Sequence, residues 1–230
     1  MRRFIAVTSV LVLTGLFAPA TSYAQQSLNL YVGGFVPDDY GSRSHDDVLR
    51  NNADFLAFNI HDFASVTAGG EYLVGLGEYV DAGLGVGFYQ DTVPSVYWDF
   101  VNDDGSEIDQ DLKLRMIPFS ATVRVLPFGR RGVEPYVGAG VAIINWHYSE
   151  SGEFVDFTDN SVFRDTFEGG GTAVGPTILG GIRFPLGPWS VGGEIRWQDA
   201  EGDLPQNLGF AGNKVDLGGF NYLVTFKVKF

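Results

Sequence analysis

"NYLVTFKVKF", residues 221 to 230, sets two lysines into an apolar run and closes on an aromatic residue. Taken two at a time, Phe220, Tyr222, Val224, Phe226, Val228 and Phe230 separate from Gly219, Asn221, Leu223, Thr225, Lys227 and Lys229. A period of two is a β-strand, because successive side chains leave opposite faces of the pleat. One face of this strand carries nearly all of the large apolar side chains and the other carries the charge.

The same alternation recurs at residues 28 to 36, 63 to 76, 79 to 91, 112 to 127, 134 to 148, 172 to 186, 189 to 199 and 216 to 230, which predicts eight strands. Tight turns separate alternate pairs at "GLGEY" (75 to 79), "PFGRRGVE" (127 to 134) and "PLGPWS" (185 to 190), and long polar segments separate the others. Aromatics make up 14% of the chain and glycine 31 of its 230 residues, a composition that suits all-β structure with sharp turns.

Which face is inside follows from the charges. In 189 to 199, Trp189, Val191, Gly193, Ile195 and Trp197 oppose Ser190, Gly192, Glu194, Arg196 and Gln198. In 80 to 91, Val80, Ala82, Leu84, Val86 and Phe88 oppose Asp81, Gly83, Gly85 and Gly87. Charge therefore shares a face with glycine, the residue that leaves most room. A soluble ligand-binding barrel would turn its large apolar residues inward, whereas a membrane barrel turns them out to lipid and keeps a crowded polar interior. Trp189 to Trp197, at about 3.3 Å per residue and a tilt near 40°, covers roughly 20 Å of membrane normal, the height of an apolar band between aromatic girdles.

Residues 1 to 24 open with Arg2 and Arg3, run through "FIAVTSVLVLTGLFAP" and end with small residues at Ser22 and Ala24, the pattern of a secretory signal peptide cleaved after Ala24. The rest, 25 to 230, is expected to form one domain. Nothing after residue 24 approaches the length of an apolar transmembrane helix, so a membrane location requires a closed barrel. The chain has 15 Lys and Arg against 28 Asp and Glu, a formal charge of −13, which repels nucleic acid. With no cysteine, disulfides, cysteine-ligated zinc and lipid attachment through cysteine are excluded.

These residues resemble the small outer-membrane β-barrel family that includes the OmpA transmembrane domain, OmpX and OmpW, over essentially all of 25 to 230. The resemblance rests on the terminal row Tyr222, Val224, Phe226, Val228 and Phe230, similar to the signal read by the barrel-assembly machinery, and on the strand style of "EPYVGAGVAII" (134 to 144). It implies an eight-stranded antiparallel transmembrane β-barrel with short periplasmic turns and long extracellular loops. It further implies export to the outer membrane of a Gram-negative bacterium, a lipid and lipopolysaccharide environment, the assembly machinery as a partner during biogenesis, and a monomer.

The inward set contains the acids Glu71, Asp81, Glu134 and Glu194 and the bases Arg124, Arg183, Arg196, Lys227 and Lys229. In a narrow lumen such charges must pair, so an interstrand salt-bridge plug is expected. A structural or surface-interaction role follows, with a narrow channel for small or hydrophobic solutes as the alternative.

The segments 91 to 111 and 149 to 171 concentrate Asp and Glu. They read as solvated loops, with divalent cations as candidate partners, although "NDDGSEID" matches a calcium loop only in part. In the long first loop, 37 to 62, Asp46 or Asp47 is placed to cap a helix through Val48, Leu49, Phe55 and Leu56, whose apolar face would meet the barrel mouth. "NWHYSES" (145 to 151) puts His147 and Ser149 on one side of a strand and resembles the His-x-Ser pair of lipid A deacylases. That pattern continues with Asn, and here Glu150 follows, so hydrolysis is the third reading and the expectation is no enzyme. His45 and His61 have no partner at metal-ligand spacing, and no cofactor is expected.

Overall fold

The computed structural model describes residues 25–205 and 209–230; the expected signal peptide lies outside them. Ten strands form among the described residues, in chain order: β1 (Gln26–Pro37), β2 (Ser65–Gly75), β3 (Val80–Val101), β4 (Glu107–Val125), β5 (Glu134–Asp156), β6 (Ser161–Leu186), β7 (Trp189–Gln198), β8 (Glu201–Asp203), β9 (Lys214–Asp216) and β10 (Gly219–Lys229). Eight of them close into a barrel in the order β1-β10-β7-β6-β5-β4-β3-β2, while β8 and β9 pair separately. All barrel neighbours are antiparallel, and β10 closes the ring on β1 from Ser27↔Lys229 to Pro37↔Gly219.

The outer surface of the lower barrel is a continuous apolar belt. Val32, Val66, Leu84, Val123, Val137, Val174, Ile195 and Val224, one from each barrel strand, are all more than half exposed. In water such a belt would be a large aggregating patch, and in lipid it is matched to its solvent. The structure is thus a transmembrane barrel.

Four barrel strands are about twice as long as the other four. β3, β4, β5 and β6 have 22, 19, 23 and 26 residues against 12, 11, 10 and 11 in β1, β2, β7 and β10. The long extracellular segments are present, but two are built differently from the loops expected of 91 to 111 and 149 to 171. They continue as paired strands, from Gln90↔Arg115 to Val96↔Asp109 and from Ser149↔Glu168 to Asp156↔Ser161. Their outer face meets water, so acids can stand where valine stood below. Val93, Tyr97, Ile108, Leu112 and Leu114 keep the period of two and are buried inside.

The mouth of the barrel is filled by the first extracellular connection. Helix α1 (Val48–Asn52) begins at Asp47, whose carboxylate accepts from the Arg50 N–H. It is shorter than the expected helix: Phe55 and Leu56 lie beyond its end, followed by a 3-10 turn at Ile60–Phe63. Val48, Leu49, Leu56, Ile60 and Phe63 are buried in one cluster with Phe35, Tyr89, Met116, Ile144, Trp146 and Leu217 of the barrel region. Asp47 also accepts from Arg43 at 3.0 Å and from the Asp216 N–H at 2.7 Å, which ties the plug to β9.

Candidate functional site

Below the apolar plug the lumen is ionic. Its periplasmic layer has buried Glu134 facing Lys227 at 3.6 Å and Lys229 at 3.5 Å. Beside it, Asp81 accepts from Arg183 at 3.1 Å and Arg130 at 2.6 Å. The next layer is a four-membered ring. Arg124 bridges Glu71 and Glu194, the latter at 3.2 Å, and Arg196 bridges the same acids at 2.6 Å to Glu194 and 3.3 Å to Glu71.

Two tyrosines complete it. Arg183 lies over the Tyr136 ring at 4.1 Å and Arg196 over Tyr31 at 5.2 Å, cation–π contacts that offset lost hydration. The Tyr136 hydroxyl donates to Glu194 at 2.9 Å, and Asn29 donates to Glu71 at 3.2 Å. Glycines make room for the rings: a Cβ on Gly69 would run into the Tyr31 Oη, and one on Gly181 would sit 2.5 Å from the Tyr136 Oη.

The geometry therefore brings Glu71, Asp81, Arg124, Glu134, Arg183, Glu194, Arg196, Lys227 and Lys229 together around one axis. Arg130 belongs with them and sequence reasoning missed it, because a turn residue has no face that a period of two can assign. It follows Gly129, whose φ of 67° is open chiefly to glycine, and curls under the barrel, while Arg131 stays outside near Glu78. Tyr136 carried a legible signal, since it shares a face with Glu134, while Tyr31 lies on the polar face of β1 with Ser27 and Asn29. Between the ionic layers and the apolar plug a cavity of only about 20 Å³ remains, lined by Thr67, Ser120, Thr177, Gln198 and Asn221. That is room for roughly one water molecule.

The row Tyr222, Val224, Phe226, Val228 and Phe230 lies on the outer face, opposite Lys227. In the extracellular hairpins the Ser106 N–H and hydroxyl beside Asp104, and the Ser161 hydroxyl and N–H beside Asp159, hold both carboxyls below the usual carboxylate range. Among the described residues no three acid or histidine side chains converge as a metal site would require. His61 pairs with Asp39 at 2.9 Å on the surface, and His45 is exposed. His147 and Ser149 occupy β5 across from Arg115 and Lys113, and neither donates to the other among the described residues. The carboxylate after them, Glu150, turns inward and is buried.

No protein-family model matches the chain, and no curated protein matches it. Solved structures do. The crystal structure of the outer membrane protein OprG from Pseudomonas aeruginosa matches at TM-score 0.54 and 14% identity, covering 90% of this chain and 96% of that one. The N-terminal β-barrel domain of Pseudomonas aeruginosa OprF gives 0.40 and 13%, covering 90% and 99%, and Neisserial surface protein A gives 0.46 and 11%, covering 90% and 97%. Of the three, the OprG match is close enough to carry an argument, and it shows a shared fold: the small outer-membrane barrel.

Proposed function

We propose that this outer-membrane β-barrel acts at the cell surface and is not an open pore. One observation supports the reading: ion-pair layers from Glu134 to Arg196 and the apolar cluster from Phe35 to Trp146 occupy the lumen, and the cavity between them holds about 20 Å³. What the protein presents is the extension of β3 to β6 beyond the belt, whose outer row on β4 carries Glu107, Asp109 and Asp111 beside Lys113 and Arg115.

Residues 1 to 24 are assigned as the export signal, and the Tyr222 to Phe230 row as the segment the assembly machinery reads. Lipid and lipopolysaccharide surround the belt of a monomer, and no chemical step is assigned to the barrel. The alternative, passage of small solutes, requires the layers to separate. Purified protein in planar bilayers will show no stable conductance above background in moderate salt. Large, steady porin-like steps would overturn the sealed-barrel reading.

A further inference from the structure

Above the plug, where β3 to β6 extend beyond the membrane, an open pocket of about 380 Å³ lies between two aromatic walls. One wall stacks Phe55 on Tyr97, centroids 5.8 Å apart, with Phe157 edge-on to Phe55 at 5.9 Å. The other stacks Phe154 on Phe163 at 5.8 Å, with Phe167 edge-on to Phe154 at 4.7 Å. The volume falls in the range of small-molecule sites. Its lining also includes Asn52, Gln110 and Glu150.

Those polar groups are not balanced. Glu150 is 4% exposed and has no Lys, Arg or His within 4 Å among the described residues. Its Oε1 accepts from Asn52 at 2.6 Å and from the Tyr148 hydroxyl at 2.9 Å, which uses both lone pairs. Its Oε2 receives only the Gln110 amide, at the outer limit of 3.5 Å. Gln110 is 3% exposed, and its own Oε1 has no donor in the protein. Two buried acceptors, one of them an acid without a counter-ion, therefore sit among aromatic rings.

A buried carboxylate left in that condition is costly. Burial raises the Glu150 carboxyl above its ordinary value, more than its two close donors lower it. What would satisfy the site is a positive charge that brings N–H donors and tolerates aromatic faces.

We propose that this pocket binds a small primary or secondary ammonium cation with an apolar body, the N–H groups on Glu150 Oε2 and Gln110 Oε1 and the body between the rings. Aromatic walls suit the body and attract the cation through their faces. The formal charge of −13 enriches cations near the outer surface. The inference rests on the surface reading above, since the pocket opens on the extracellular extension.

Calorimetric titration of the full refolded chain in detergent with phenethylammonium chloride tests it. Phenethylammonium will bind; 2-phenylethanol, phenylacetate and the quaternary benzyltrimethylammonium will bind at least about tenfold more weakly or not at all. Glu150→Gln will weaken phenethylammonium by about tenfold or more, and Phe163→Ala, at a half-exposed ring, will weaken it several-fold. Both variants must keep the heat-modifiable gel migration of a folded barrel, and Phe163→Ala preserves the test if Glu150→Gln does not fold. Equal affinity for the cation, the alcohol and the carboxylate, or an unchanged affinity in both variants, overturns the proposal. Phosphoethanolamine binding as tightly as phenethylammonium would move the occupant to a lipid headgroup and overturn the assignment to an amine with an apolar body. Bilayer recordings on the same preparation separate the two readings. A silent barrel without amine binding removes only the pocket proposal, and a conducting barrel that binds the amine removes only the sealed lumen.

Discussion

Replacing Arg124 with methionine will lower the unfolding free energy of the barrel by about 3–5 kcal/mol, read from urea titrations of protein refolded in lipid vesicles. Arg124 is fully buried and touches both Glu71 and Glu194. Without it, two carboxylates face each other across the lumen with Arg196 as their one remaining close cation. Most of the loss is the cost of an uncompensated buried charge, not the intrinsic strength of the bridge. Adding Glu71→Gln to the methionine variant removes one of the stranded acids and should restore a substantial part of the stability. A methionine variant as stable as the parent, or a double variant weaker than both singles combined, would show that the ring does not hold the lumen together.

The second large effect concerns depth. Val224 stands midway along β10, is 66% exposed, and lies between Val32 on β1 and Gly193 on β7. Val224→Lys puts an ammonium near the middle of the apolar belt and will cost about 2–4 kcal/mol, with a matching loss of heat-modifiable folded barrel on gels. Val228→Lys, beside Leu28 and Trp189 at the periplasmic rim, will cost about 0–1 kcal/mol because the lysine can reach the interface. Equal costs at the two positions would mean that the belt is centred elsewhere.

The two experiments address opposite faces of the same barrel wall, Arg124 on the inner face of β4 and Val224 on the outer face of β10, and both faces were legible in the chain. Trp189, Val191 and Ile195 are exposed while Ser190, Glu194 and Arg196 are buried, and β10 alternates in the same way up to Lys227. Inside and outside are decided residue by residue through the pleat, so a local pattern carries them. The extracellular half was harder to read because water replaced lipid on its outer face. Asp109 and Asp111 then marked a loop, although Ile108, Gln110 and Leu112, which alternate with them, kept the strand period and point inward.

What the sequence determined by itself was the number of barrel strands, the face of each side chain within the membrane belt and the charge that had to be neutralised in the lumen. Only the tertiary structure decided which charges meet. Arg124 reaches Glu71 across 53 residues and Arg183 reaches Asp81 across 102, contacts set by the register between strands and by the closing pair β1 and β10. The same holds for Glu150, one acid among many along the chain, which becomes a buried group because α1 brings Asn52 and β4 brings Gln110 beside it. Alternation is a property of one strand. Register and closure belong to all eight together, and a single strand's pattern cannot encode a partner that ring geometry selects.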